Sequence, residues 1–195
     1  MLEILSSTAP GTQTFRHPGT FDRTLLTVSY RVDLAEHERR LTADLGAVVD
    51  EFLLAALMTL PERDLGLVSR RFERVVRKSA GSALATLVED PEGGLWGQRR
   101  LGIAVEVDWL HIDSVSWARG RDTAHNWVGY GPRVVRTPEE LTQFELTEAA
   151  HYGIGVEDAY GKRLLEPGTY APQRWSSARW RFSEMVYRQF RELSD

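Results

Sequence analysis

The ten residues Arg100–Trp109, RLGIAVEVDW, alternate without a break. Leu101, Ile103, Val105, Val107 and Trp109 fall on one side, and Gly102, Ala104, Glu106 and Asp108 on the other. A two-residue period suits an extended chain with one face buried, and it fits no helix. A second β-branched, alternating stretch, RTLLTVSYRVDL, covers Arg23–Leu34. Two strands of this kind need a shared layer to cover them, and the chain between them supplies candidates.

Asp33 stands three residues before Glu36, in the pattern of a capping box. Leu41, Leu45, Val48, Phe52, Ala56 and Leu60 then recur at helical spacing, so a helix is expected from Leu34 to about Leu60, ended by Pro61. A second helix is expected over about Glu62–Ser79. Leu65, Val68, Phe72, Val75 and Val76 form one face of it, and Arg70, Arg71, Arg74, Arg77 and Lys78 another.

Ala83–Asp90 reads as a strand with DPEGG as its turn. Asp113–Arg119 reads as another, and NWVGYG with RVV as a third, broken at Pro132. Thr137, Pro138 and Glu140 form a helix start, with the stop near Gly153. VEDAYGKRLL fits either a short helix or a loop, and a last helix runs from about Trp175 to Leu193. Residues 1–20, with Pro10, Gly11, Pro18 and Gly19, read as an extended arm with a short strand at Leu2–Leu5.

Strands and helices thus come in segregated runs. This predicts an α+β fold: an antiparallel sheet of about four to five strands, covered by a long N-terminal helix pair and by C-terminal helices. At 195 residues, 1–195 is expected to form a single globular domain.

Composition removes whole classes of function. There is no cysteine, which excludes thiolate metal sites, cysteine nucleophiles and disulfides. The start, MLEILSSTAPGTQTF, lacks a basic leader region, and the most apolar run, Phe52–Leu60, is far short of the roughly 20 residues a membrane span needs. A cytoplasmic protein with no membrane association is expected. The formal net charge of −4 argues against indiscriminate nucleic-acid binding. No dinucleotide fingerprint, phosphate loop, nucleophile elbow or zinc motif is present, and no cofactor or metal is expected.

The stretch Asp108–Trp127 concentrates the chemistry-bearing residues. His111 between Asp108 and Asp113 is the pairing that orients an imidazole as a general base. If Gly120–Asp122 is a hairpin turn, Trp117, His125 and Trp127 cluster near it, with His111 apart from them. Trp127 and Tyr130, in a glycine-bearing loop, suit a binding surface, and Arg119 and Arg121 suit an anionic group. Trp109, in phase with Leu101–Val107, reads as core.

Three functional readings follow, in this order. The first is a binding or interaction domain acting through a protein partner, self-association or a small ligand. The second is a cofactor-independent enzyme with a His/Asp base near residues 108–127. The third is nucleic-acid binding through the Arg70–Lys78 face.

Overall fold

The computed structural model describes residues 3–9, 12–78, 83–171 and 174–194, with side chains from residue 13 onward. Met1, Leu2, Pro10, Gly11 and Ser79, which fall within expected elements, lie outside the described residues. The architecture is mixed α+β, as the segregated runs imply, and the chain divides into two compact units. The first comprises Met1–Val32, Val105–Arg174 and Gln189–Asp195, and the second Asp33–Ala104 and Trp175–Arg188. No helix among the described residues is long and apolar enough to cross a membrane.

The first unit is built on a seven-stranded sheet. Its strands are β1 (Glu3–Ala9), β2 (Thr12–Phe21), β3 (Thr24–Asp33), β7 (Val105–Asp113), β8 (Arg133–Arg136), β9 (Ile154–Glu157) and β10 (Arg163–Leu165), in that spatial order. The expected sheet of four to five antiparallel strands is therefore corrected in number and direction. β1–β2, β3–β7 and β9–β10 pair antiparallel, but β7–β8 and β8–β9 pair parallel. The parallel strands are joined through α4 (Trp117–Asn126) and α5 (Gln143–His151), as parallel neighbours require a crossover.

The strand expected over Asp113–Arg119 and the hairpin turn at Gly120–Asp122 are thus replaced by a helix. Its buried residues Trp117, Gly120 and Ala124, followed by buried Trp127, repeat at three and four. That is a helical stripe hidden behind a glycine that looks like a turn. Gly120 instead permits close approach to the sheet. A Cβ there would lie 2.4 Å from Val135 Cγ1.

Both crossover helices cover the face that carries Leu110, Ile112, Val135, Ile154 and Val156. Arg133, the first residue of β8, belongs to that face and is buried. It donates to Ala124 O in the last turn of α4 (3.3 Å) and to Tyr152 O at the end of α5 (3.0 Å). No carboxylate pairs with it among the described residues. The two helix C-termini, each equivalent to roughly half a negative charge, stand in for one. At the other end of α4, the Trp117 backbone N–H donates to Glu139 Oε2 at 2.6 Å. Near that end, the expected helix start at Thr137 is displaced to Thr142, whose capping box with Glu145 opens α5. The Thr137 N–H is held by Glu157 O in the sheet.

The alternation of Arg100–Trp109 holds only in part. Register slips between Ser29 and Tyr30, so that Asp108 and Trp109 together form a bulge. Val105 and Val107 share the helix-covered face with Leu110 and Ile112, while Trp109, expected in the core, turns to the opposite face and is half-buried. Residues 101–104 are not in a strand, and Ile103 is exposed.

The second unit holds α1 (Leu34–Thr42), α2 (Glu51–Met58), α3 (Arg70–Lys78) and a three-stranded sheet, β4–β6–β5 (Gly66–Leu67, Leu95–Arg99 and Ala85–Glu89). The long N-terminal helix pair is three shorter helices. α1 ends at Ala43, followed by Asp44 at φ 49°, and α2 restarts at Asp50, whose carboxylate accepts from Leu53 N. The core joins Leu54, Ala56, Leu57, Leu60, Val76, Leu95, Leu101 and Trp180, but Phe52 is exposed, against expectation. Helix α6 (Ser177–Ser194) closes the described chain, and Phe182–Tyr187 are all buried.

Candidate functional site

The parity of β7 places Trp109, His111 and Asp113 on the face of the first unit's sheet opposite α4 and α5. Parallel register aligns His111 with Val134 and Gly155, and Asp113 with Arg136 and Glu157. This face carries a chain of charges. Arg31 pairs with Glu106 (3.1 Å) and Asp108 (2.8 Å), Arg136 with Asp113 (2.6 Å), and Arg163 with Glu157 (2.7 Å) while its guanidinium also lies over the Trp109 ring.

His111 is 6% exposed, and its Nδ1 is buried without a hydrogen-bond partner among the described residues. Its nearest carboxylate is Glu157, 3.8 Å away. The expected partners are engaged elsewhere: Asp108 is committed to Arg31 and Asp113 to Arg136. Burial, with the charges of Arg16, Arg163 and Arg136, lowers the imidazole to about 4 against the opposing pull of Glu157. His111 is therefore neutral at neutral pH. For Asp108, burial outweighs Arg31 and raises the carboxyl above its usual range.

The carboxyl ends of β7, β8 and β9 frame a hollow of about 370 Å³. Asp113 and Arg136 line it together with Ser114, Thr137 and the apolar side chains of Val115, Pro138 and Ala159. Val115 is 72% exposed, and Tyr160, which follows Ala159 in the chain, is exposed almost completely. Crevices at the carboxyl ends of parallel strands are where such βαβ arrangements hold ligands, and this volume lies within the usual range for small molecules. Among the described residues, no cluster of three or more acidic or histidine side chains could hold a metal.

Within the first unit, Trp117 and His125 lie on the helical side of the sheet, on α4. Trp117 is buried, its indole donating to Glu148 (2.8 Å), and Arg121 pairs with Glu148 and Asp122. Arg119 is exposed on α4. His125 packs edge-on against Tyr152 at 4.4 Å, and Trp127 against Tyr130 at 5.1 Å. The sheet separates His111 from His125, so the two imidazoles do not share a site. Arg70–Lys78 form α3, where Arg77 is held by Glu73 and Glu89.

Sequence reasoning missed Arg136, Glu157 and Arg163. Their role depends on the parallel register of β8 and β9 and on the hairpin to β10, which no local pattern records. Comparison with protein-family models, with curated proteins and with solved structures finds no match for this chain.

Proposed function

We propose that this chain is a ligand-binding α+β protein whose site lies at the carboxyl ends of β7–β9, and that it takes a small organic anion with a flat apolar body. The observation that carries this is the hollow itself: an apolar wall of Val115, Pro138 and Ala159 with one arginine, Arg136, at its rim. Arg136 pairs with Asp113, but the two side chains are 34% and 53% exposed. An ion pair that open contributes at most about 1 kcal/mol, so an incoming carboxylate can displace Asp113 at small cost.

The binding reading outranks the enzyme reading on electrostatic grounds. A general base works best with a pKa near the working pH, and His111, at about 4, is too weak a base for that role. It is also separated by the sheet from the second imidazole that an acid–base pair would use. Interaction with a protein partner or a second copy has its own support in the second unit. There Leu67, Trp96 and Val88 lie in register across β4, β6 and β5, all exposed.

Calorimetric titration with substituted benzoates and the matching benzamides tests the ligand class. The benzoates are expected to bind saturably. The benzamides, and the benzoates with Arg136→Gln, should bind about tenfold more weakly, as loss of a charge-assisted pair implies. Equal affinity for acid and amide, or benzoate binding unaffected by Arg136→Gln, would overturn the proposal.

A further inference from the structure

We propose a second, separate site in the second unit. Arg39, Arg99 and Arg100 wall a hollow of about 420 Å³ that accepts a phosphoryl group. The inference stands independently of the site at Arg136.

Arg99, the last residue of β6, is held in place before any ligand arrives. Its backbone N–H donates to Pro61 O at 2.8 Å, and its guanidinium lies 5.0 Å over the Trp180 ring. The side chain is only 14% exposed, and its Nε is buried with no hydrogen-bond partner among the described residues. Its acidic partner among the described residues is Glu62, whose side chain is 70% exposed. Arg100 follows directly, anchored by its backbone N–H to Leu84 O and by its Nε to Thr86 Oγ1. No carboxylate pairs with Arg100 among the described residues.

Arg39 is already bidentate on Glu36 and donates to Ala83 O. It therefore adds field rather than free donors. Among the described residues, Glu62 is the one carboxylate lining the hollow.

Charge and geometry select the ligand class. A planar carboxylate is satisfied by one guanidinium fork, whereas two arginines with spare donors in one hollow suit an anion with three terminal oxygens and a charge near −2. A phosphomonoester or inorganic phosphate has that form. Because Arg99 is already stacked and buried, little further side-chain order is lost on binding. A stripe of arginines on one helix reads as nucleic-acid binding, but α3 does not line this hollow. The concave shape favours a compact phosphate over a polymer.

The full chain is titrated with inorganic phosphate, glycerol 1-phosphate and a short single-stranded oligonucleotide, followed by calorimetry and by NMR of the arginine Nε–H groups. Both small phosphates are expected to bind at one site, with Kd of about 1 mM or tighter. Affinity for glycerol 1-phosphate should fall as pH drops below about 6, where a phosphomonoester loses its second charge. Arg100→Gln, at an exposed position, should weaken binding about tenfold with an unchanged melting temperature, and Arg136→Gln should leave it unaltered. The absence of a saturable shift at Arg99 Nε–H, or phosphate affinity surviving Arg100→Gln, would overturn the proposal. So would binding confined to the oligonucleotide with a steep salt dependence, which would assign the arginines to nucleic acid instead.

Discussion

His111 is a base that the folded chain keeps uncharged. Its ordinary value of 6.5 falls to about 4, so between those pH values the unfolded chain binds a proton that the folded chain refuses. The His111 contribution to stability is complete above about pH 6.5, is lost as pH falls, and levels off near 4. The full difference is roughly 3 kcal/mol. His17, lowered by burial against a raising hydrogen bond from Gln189, acts in the same direction. Urea unfolding followed from pH 7 to 4 should show a steeper loss for the native chain than for His111→Asn, which has nothing to protonate. Parallel curves would contradict the burial assigned to this ring.

Arg133 presents the reverse case, a charge buried without a carboxylate. It is lowered by burial, and two helix C-terminal carbonyls take up its donors. Arg133→Met keeps most of the volume but strands both carbonyls, and is expected to cost roughly 2–4 kcal/mol in chemical unfolding. A cost below that of a surface substitution would show that the two helix ends do not depend on it.

At the scale of elements, Gly120 separates the helix found from the hairpin expected. In an exposed helix, Gly→Ala stabilises by roughly 1 kcal/mol. Here the new Cβ would meet Val135 Cγ1, a stiff and fully buried side chain. Gly120→Ala is therefore expected to destabilise by roughly 1–3 kcal/mol, as overpacking does. A gain in melting temperature would contradict the close approach of α4 to β8.

The same glycine explains what the sequence conceals. Gly and Asp at positions 120 and 122 signal a turn locally, while the stripe Trp117, Gly120, Ala124 and Trp127 requires a neighbour to interpret it. Strand β3 and helix α6 were legible because a clean period marks each one, two residues in β3 and helical spacing of Ala178, Phe182, Met185, Val186 and Phe190 in α6. The α1–α2 break was hidden because Leu41, Leu45, Val48 and Phe52 keep helical spacing through the non-helical segment 45–50. The bulge at Asp108–Trp109 reversed the face of everything after it. His111 was recognised as a chemical residue, but Glu157 was not recognised as its neighbour, because the parallel register of β8 and β9 leaves no local pattern.

At the scale of the molecule, the two units divide the candidate chemistry. The first offers an apolar hollow with one arginine at its rim, and the second a hollow walled by arginines. The sheet face behind the first hollow is filled with ion pairs, and Glu106 opens to solvent there, as a solvated antiparallel face would. On that face the buried imidazole is neutral, and Asp108, Asp113 and Glu157 are paired with arginines.

Amide chemical-shift mapping during a benzoate titration of the uniformly labelled chain tests the central claim most directly. The expected result is saturable shifts confined to residues 113–115, 136–138 and 159–160, with residues 33–104 unmoved. Shifts centred on Trp127 and Tyr130, or on Leu67, Val88 and Trp96, with none at the carboxyl ends of β7–β9, would contradict it.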